Sequence, residues 1–120
     1  MKTGVIVDDA AIMRLRLREI LEPDYSVVGE AGDGDEGLRL CEKLNPDFVT
    51  LDISMPRTNG MQLLEKLRAK FPDVRVVMVS AVGQKRLVID ALQCGAVDFV
   101  IKPFDPDRVR QAVDRLFEEC

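Results

Sequence analysis

Polar side chains stand directly behind four apolar runs of this sequence. They are Asp8 and Asp9, Asp52, Ser80 and Lys102. If the fold brings them together, three carboxylates, one hydroxyl and one ammonium can bind a divalent cation and a phosphoryl group. Oxygen ligands without histidine or thiolate favour a hard ion such as Mg²⁺. The sequence therefore predicts a site for Mg²⁺ and phosphoryl chemistry.

One of these carboxylates can also act as a nucleophile and form an aspartyl phosphate. Asp52 is the best candidate because it stands alone behind its apolar run, whereas Asp8 and Asp9 are adjacent and can hold a metal together. Lys102 and Mg²⁺ would neutralise charge that develops on the transferred phosphoryl oxygens. Each residue by itself could equally be a helix N-cap or a surface charge. The agreement of several strand ends favours a shared site.

The elements that must position these residues are predicted from hydrophobic periodicity. Short runs rich in Val and Ile, separated by helical stretches, are typical of a parallel sheet that is buried on both faces. The predicted strands are 4–8, 25–30, 47–52, 74–80 and 97–101, and the predicted helices are 10–22, 34–44, 59–70, 84–94 and 106–118.

Right-handed crossovers between parallel strands place helices on both sides of such a sheet. We therefore predict an α/β fold, a flavodoxin-like, doubly wound (βα)5 arrangement with strand order 2-1-3-4-5. The carboxyl ends of parallel strands meet in one crevice, and the first and third strands are neighbours in this order. Asp8, Asp9 and Asp52 should therefore adjoin each other.

Length and composition restrict the class of protein. The 120 residues predict one domain over 1–120, and 47% hydrophobic and 32% charged residues fit an ordinary globular protein. A net charge of −4 argues against a nucleic-acid-binding surface. No apolar stretch approaches the ~20 residues of a membrane span, and no signal peptide is visible. The absence of histidine excludes a Ser-His-Asp triad and a His-ligated metal.

The cysteines give no sign of a disulfide framework. Cys41, Cys94 and Cys120 are odd in number and widely spaced, without a Cys-x-x-Cys pair. We therefore expect a cytoplasmic protein. We also expect it to be a monomer.

A glycine-rich segment at residues 32–37 matches the dinucleotide-binding pattern G-x-G-x-x-G. However, Asp33, Asp35 and Glu36 would place three negative charges where a pyrophosphate must lie. These acids instead favour the positive end of the predicted helix. We therefore reject dinucleotide binding.

Motifs along the whole chain resemble, in order, those of two-component receiver domains. They are Val7-Asp8-Asp9, Leu51-Asp52-Ile53-Ser54-Met55-Pro56 with Asn59-Gly60, Val79-Ser80-Ala81, and Gly95-Ala96 followed by Phe99-Val100-Ile101-Lys102-Pro103-Phe104. Within this family the sequence is most similar to the single-domain chemotaxis response regulators.

The resemblance implies a role for each candidate residue. Asp52 would accept a phosphoryl group from a histidine kinase and lose it again by Mg²⁺-dependent autodephosphorylation. Ser80 and Lys102 would contact the phosphoryl oxygens. The Mg²⁺ ligands would be Asp8, Asp9, Asp52 and the backbone carbonyl of Ser54.

The resemblance also implies a surface that changes on phosphorylation. Phe99 would be the switch aromatic, which packs inward when Ser80 moves toward the phosphoryl group, and the Lys102–Pro103 peptide bond would be cis. The binding surface would comprise the fourth helix, fifth strand and fifth helix, with contributions from Lys85, Ile89, Phe99 and Arg108. Its partner would be a flagellar motor switch component or another phospho-dependent target protein.

Two alternatives stay open at this point. The chain could be the receiver part of a larger regulator, because residues 49–53, 77–80 and 96–100 also resemble the receiver of the chemotaxis methylesterase. It could instead be a Mg²⁺-dependent phosphatase that acts on small molecules through an aspartyl phosphate. Such enzymes often carry a second Asp two residues after the nucleophile, where this sequence has Ser54. We therefore favour a signalling protein over an enzyme.

Overall fold

The structure is a computed structural model that describes residues 1–55, 58–81 and 83–118. Its elements are β1 (Thr3–Val7), α1 (Ala11–Leu21), β2 (Ser26–Ala31), α2 (Gly34–Leu44), β3 (Phe48–Leu51), β4 (Ser54–Met55), β5 (Thr58–Asn59), α3 (Gly60–Lys70), β6 (Arg75–Ser80), α4 (Lys85–Gln93), β7 (Asp98–Ile101) and α5 (Pro106–Leu116). Every predicted element is present within two residues of its predicted bounds, and the short β4–β5 pair is additional. Pro56 and Cys120 lie outside the described residues.

Five strands form one parallel sheet in the order β2-β1-β3-β6-β7, and β4 and β5 form a separate antiparallel pair. Counted within the large sheet, this is the predicted order 2-1-3-4-5, so the flavodoxin-like, doubly wound fold is confirmed. The register pairs Val7 of β1 with Leu51 of β3. Consequently Asp8 and Asp52, which directly follow these two residues, lie side by side at the carboxyl end of the sheet.

Apolar clusters cover both faces of the sheet, because successive strand residues point to opposite sides. One cluster packs against α2, α3 and α4 and includes Val5, Leu51, Leu64, Met78 and Ala91. The other packs against α1 and α5 and includes Ile6, Leu17, Phe48, Val79 and Val113. Burial on both faces explains why the strands are uninterrupted apolar runs rather than alternating ones.

The polar residues at the helix ends account for where the helices begin and end. Asp33, Asn59 and Asp105 each accept a hydrogen bond from a backbone N–H in the first turn of the helix that follows. Asp33 is therefore a cap, consistent with our rejection of a dinucleotide site. Gly95 follows α4 with a φ of 107°, a conformation that favours glycine and is typical of the residue after a helix end.

Hydrophobic periodicity predicts a buried stripe on two of the helices, with Ile89 of α4 outside it. The predicted stripe of α1 is Met13, Leu17, Ile20 and Leu21, and that of α4 is Leu87, Val88, Ala91 and Leu92. Leu17, Ile20 and Leu21 of α1 are buried as expected. In α4, Ile89 is exposed as expected, but Leu92 is also exposed, and the prediction that it is buried is wrong. Because Ala91 is the buried residue of α4, this helix touches the sheet along a narrower stripe than the sequence pattern suggests.

The five helices contain nine to eleven residues each. At 1.5 Å per residue they extend about 14–17 Å, roughly half the ~30 Å of a bilayer core. In the part of the chain that the structure describes, no helix has the length and apolar character to cross a membrane.

Candidate functional site

Three carboxylates meet at the carboxyl end of the sheet. Asp8 follows β1, Asp52 follows β3, and each of Asp8, Asp9 and Asp52 offers an oxygen within 4.8 Å of the others. Asp8 is 1% exposed and Asp52 is 5% exposed, whereas Asp9 is an exposed residue. The predicted proximity of these acids is therefore present. Such crowding of negative charge in a buried place requires a cation or a proton.

Lys102 supplies a positive charge to this cluster from the end of β7. Its Nζ donates to Oδ2 of Asp8 at 2.6 Å and to Oδ2 of Asp52 at 3.2 Å, and its side chain is 13% exposed. Burial alone would lower the pKa of Lys102, but the hydrogen bond to Asp8 and the attraction of both carboxylates outweigh it and raise this pKa. Lys102 therefore stays an ammonium and bridges two acids. The Lys102–Pro103 peptide bond is cis, as the resemblance implied.

The second oxygen of each buried carboxylate is fixed by its own loop. Oδ1 of Asp8 accepts a hydrogen bond from the backbone N–H of Ala10 at 2.9 Å. Oδ1 of Asp52 accepts one from the backbone N–H of Ser54 at 3.2 Å. Aspartate forms such bonds readily with the backbone two residues further on. Both carboxylates are thus held at two points, by their own loop and by Lys102.

Ser80 is the last residue of β6 and is fully buried. Its backbone carbonyl accepts a hydrogen bond from the backbone N–H of Lys102 at 2.9 Å, which joins the ends of β6 and β7. The serine and the lysine therefore leave the sheet at the same edge as the acids. Ser54 lies in β4 and is exposed, and the role of its carbonyl as a metal ligand stays a prediction.

The start of α3 packs tightly against the Asp52 loop. The backbone N–H of Gly60 donates to the carbonyl of Ile53 at 2.9 Å. A Cβ at position 60 would lie 2.4 Å from Cα of Ile53 and 2.5 Å from the carbonyl oxygen of Asp52. Only glycine fits there without a shift of backbone, which explains the Asn59-Gly60 motif.

Phe99 is 6% exposed and packs in the cluster that covers the α4 side of the sheet. The ring is therefore buried here, and its role as switch aromatic and its contribution to a binding surface stay predictions. Lys85 and Ile89 are exposed as expected. Among the described residues of this region, the large apolar side chains that are exposed are those of Ile89, Leu92, Val97 and Ile101.

Arg108 lies on α5 and binds β7 rather than pointing away from the protein. Its guanidinium contacts both carboxylate oxygens of Asp98, at 3.0 and 3.1 Å, and the carbonyl of Phe99 at 3.2 Å. Burial alone would raise the pKa of Asp98, but the hydrogen bonds from Arg108 and from the Phe99 backbone N–H lower it below its ordinary value. This bidentate pair holds β7 against α5.

The sequence analysis missed one contact with the acid cluster. Nη1 of Arg14 donates to the backbone carbonyl of Asp8 at 2.7 Å, and its Nε pairs with Glu30 at 3.3 Å. Arg14 belongs to an alternating Arg/Leu run over residues 14–18. Its spacing from Asp8 carries no recognisable signal, because the contact depends on how α1 packs on β2.

With this geometry established, comparisons with known proteins define the class. A family model described as "Response regulator receiver domain" matches residues 5–114, and the chain belongs to this family. Receiver domains are signalling components of two-component systems. The chemotaxis protein CheY of Thermotoga maritima is 41% identical over 116 residues, which are 96% of this chain and 97% of that protein.

A solved structure shows the same fold at high similarity. A chain of the CheX–CheY–BeF3–Mg²⁺ complex from Borrelia burgdorferi has a TM-score of 0.94 and 34% identity, covering 98% of this chain and 90% of that chain. The resemblance to receiver domains, and among them to chemotaxis response regulators, is therefore confirmed.

A longer regulator also contains a similar segment. The protein-glutamate methylesterase/protein-glutamine glutaminase of Thermotoga maritima is 44% identical over an alignment of 103 residues that covers 82% of this chain and 30% of that protein. Similar receiver segments thus occur both in short chemotaxis proteins and in a longer regulator.

Proposed function

We propose that this protein accepts a phosphoryl group on Asp52 from a histidine kinase and, in that state, binds a target protein in chemotaxis or flagellar motor control. The observation that supports this most directly is the buried pair of Asp8 and Asp52 bridged by Lys102, with Asp9 beside them. Family membership adds support, because receiver domains serve two-component signalling.

The donor set of this site fits Mg²⁺. Three carboxylate oxygens lie within 4.8 Å of one another, without an imidazole or a thiolate among them. Asp8, Asp9 and Asp52 would hold the ion, and the family resemblance adds the carbonyl of Ser54. When bound, Mg²⁺ neutralises charge on these carboxylates and on the phosphoryl oxygens.

In the reaction, one carboxylate oxygen of Asp52 attacks the phosphorus of a phosphohistidine. The P–N bond breaks, its electron pair stays on the imidazole nitrogen, and an acyl phosphate forms on Asp52. Lys102 donates to one phosphoryl oxygen after its ammonium leaves Asp52, and the Ser80 hydroxyl donates to another. Attack by water on the same phosphorus later releases inorganic phosphate and restores the carboxylate.

The output follows from the position of β7 between the site and the surface. Lys102 directly follows this strand, Phe99 is buried within it, and Ile101 is 48% exposed at its end. Movement of Lys102 and Ser80 toward a phosphoryl group would therefore displace β7 and the exposed apolar residues beside it. A target helix that packs on these residues would favour the phosphorylated state, provided that its affinity differs between the two states.

Incubation with acetyl phosphate tests the phosphoryl acceptor. The wild type should gain one phosphoryl group in the presence of Mg²⁺ and none with EDTA, as measured by intact mass. Asp52→Asn should gain none, while Asp73→Asn, a change at an exposed aspartate, should behave as the wild type. Retention of the label on Asp52→Asn would refute the assignment, and turnover of a small phosphomonoester would favour the phosphatase alternative.

Binding of a purified flagellar motor switch protein tests the output. Ile89→Ala combined with Leu92→Ala should weaken binding to the beryllofluoride-treated protein and leave Asp52 phosphorylation unchanged. Val28→Ala is a matched control, because Val28 is an exposed apolar residue on β2 at the other edge of the sheet. Equal loss in the control, or unaltered binding in the double variant, would assign the contact to another surface.

A further inference from the structure

Arg14 connects the carboxylate cluster to the neighbouring strand β2. Its guanidinium donates from Nη1 to the backbone carbonyl of Asp8 at 2.7 Å and pairs through Nε with Oε1 of Glu30 at 3.3 Å. The Arg14 side chain is 21% exposed, so both contacts are partly shielded from water. A guanidinium suits this position because its rigid fork can serve two acceptors in fixed directions.

Glu30 is itself held in place from α1. Nε of Arg18 donates to its Oε2 at 2.6 Å, and Nη1 of Arg18 donates to the carbonyl of Val27 at 3.3 Å. Glu30 thus receives one arginine on each carboxylate oxygen. The side chain that orients Arg14 is therefore anchored to β2 and to α1 together.

The contact of Arg14 fixes a peptide group that Asp9 shares. The backbone N–H of Asp8 donates to the carbonyl of Ala31 at 3.0 Å, and its carbonyl accepts from Arg14. That carbonyl belongs to the peptide bond between Asp8 and Asp9. The carboxylate of Asp9 is exposed, so its position relative to Asp8 depends on the orientation of this peptide.

We propose that Arg14 is a positioning residue for Mg²⁺ binding, which it supports by holding the Asp8–Asp9 peptide against Glu30. This inference rests on the proposed function of the site. Mutation of a group that hydrogen-bonds to a metal ligand and orients it typically lowers metal affinity about 10-fold or more. Replacement of Arg14 should therefore weaken Mg²⁺ binding about 10-fold.

Simple electrostatics predicts the opposite sign. Removal of a cation near three carboxylates should strengthen the attraction for Mg²⁺. A loss of affinity in Arg14→Gln therefore cannot come from the change of charge and must come from the lost orientation of the loop. Because the two effects change Mg²⁺ affinity in opposite directions, this variant distinguishes between them.

Calorimetric titration of Mg²⁺ into Arg14→Gln is the main test, with Arg39→Gln as a charge-matched control on the exposed surface of α2. We expect about 10-fold weaker binding in Arg14→Gln and no weakening in Arg39→Gln. The ¹⁵N shift of the Asp9 amide in metal-free protein should also move, because this nitrogen shares its peptide with the carbonyl that Arg14 binds. In acetyl phosphate assays the Mg²⁺ concentration for half-maximal rate should rise, while the rate at saturating Mg²⁺ stays within about twofold.

If Arg14→Gln folds poorly, Glu30→Gln tests the same contact, because it removes the carboxylate that pairs with Arg14. It should weaken Mg²⁺ binding, while Glu65→Gln, an equal change of charge on the exposed face of α3, should weaken it less. Wild-type or tighter Mg²⁺ binding in Arg14→Gln, when the wild type binds normally, would overturn this inference alone. Failure of the wild type to bind Mg²⁺ would overturn the proposed function as well.

Discussion

The ammonium of Lys102 donates to a carboxylate oxygen of Asp8 at 2.6 Å, across 94 residues of sequence. The two residues follow β7 and β1, which are separated in the sheet by β3 and β6. A positive charge therefore already lies in the acid cluster in which Mg²⁺ is proposed to bind. Lysine and metal should compete for the same carboxylates, and this competition can be measured.

Lys102→Met should destabilise the metal-free protein. Without the ammonium, Asp8 and Asp52 lose their shared counter-charge in a buried site, a loss on the order of 3 kcal/mol. Mg²⁺ should restore much of this stability, because the ion replaces the missing positive charge and binds the folded protein but not the unfolded chain. Thermal unfolding followed by circular dichroism, with EDTA and with Mg²⁺, measures both effects.

The control for this variant is Lys43→Met, which removes a lysine from the exposed end of α2. It should leave both unfolding temperatures nearly unchanged. An equal destabilisation of Lys102→Met with and without Mg²⁺ would contradict the competition.

The Asp98–Arg108 pair should stabilise the protein in a pH-dependent way. The pKa of Asp98 is lower in the folded state, so its stabilisation is present above the unfolded value of about 3.9 and is lost as pH falls through the folded value. At pH 7, Asp98→Asn should lower the free energy of unfolding by about 1 kcal/mol or less, since solvent screens a pair in which Arg108 is 37% exposed. Urea denaturation from pH 7 to about 2.5 should show this difference shrinking, and a constant difference would refute the linkage.

Thr50→Val should stabilise the protein. The Thr50 hydroxyl is buried on β3 and has no hydrogen-bond partner among the described residues. Valine has nearly the same shape and removes the unsatisfied group, which should raise the free energy of unfolding by about 1 kcal/mol. Thr3→Val is the matched control: the Thr3 hydroxyl bonds to Asp47, so that change should destabilise. Chemical denaturation of both variants decides the matter, and a loss of stability in Thr50→Val would mean that its hydroxyl has a partner.

Gly60→Ala should disturb both stability and phosphorylation. The new methyl group would meet the backbone of Asp52 and Ile53 at less than 3 Å, and overpacking of this kind costs about 1–3 kcal/mol. Because the displaced loop carries Asp52, phosphorylation by acetyl phosphate should slow. Gly32→Ala is the control for stability alone, since its methyl group would lie at an ordinary contact distance of 3.6 Å from the nearest side-chain atom, Nη1 of Arg14. Normal phosphorylation of Gly60→Ala would show that the loop can yield without consequence.

The fold and the acid cluster could be predicted from the sequence because both depend on strong, regular signals. Short apolar runs mark the strands, which have four to six residues each. Parallel strands must also bring their carboxyl ends to one edge of the sheet. Asp8 and Asp52 follow neighbouring strands, so their proximity needs only the strand order. The helix bounds were close because residues such as Asp33 and Gly95 have local conformational preferences.

Features that depend on packing were not predictable in this way. The β4–β5 pair has two residues in each strand, too few for a periodic signal. The exposure of Leu92 depends on how α4 lies on the sheet edge. The contacts of Lys102 with Asp8 and of Arg14 with Glu30 join residues whose side chains are long and flexible, so their partners follow from tertiary geometry and not from spacing.

The arginine contacts at Glu30 and Asp98 have a consequence for the protein in concentrated solution. These residues are the acids of β2 and β7, the two outer strands of the sheet. Charged side chains on short outer strands disfavour the addition of a foreign strand to the edge of a sheet. The same pairs that fasten α1 and α5 to the sheet therefore oppose its growth into aggregates.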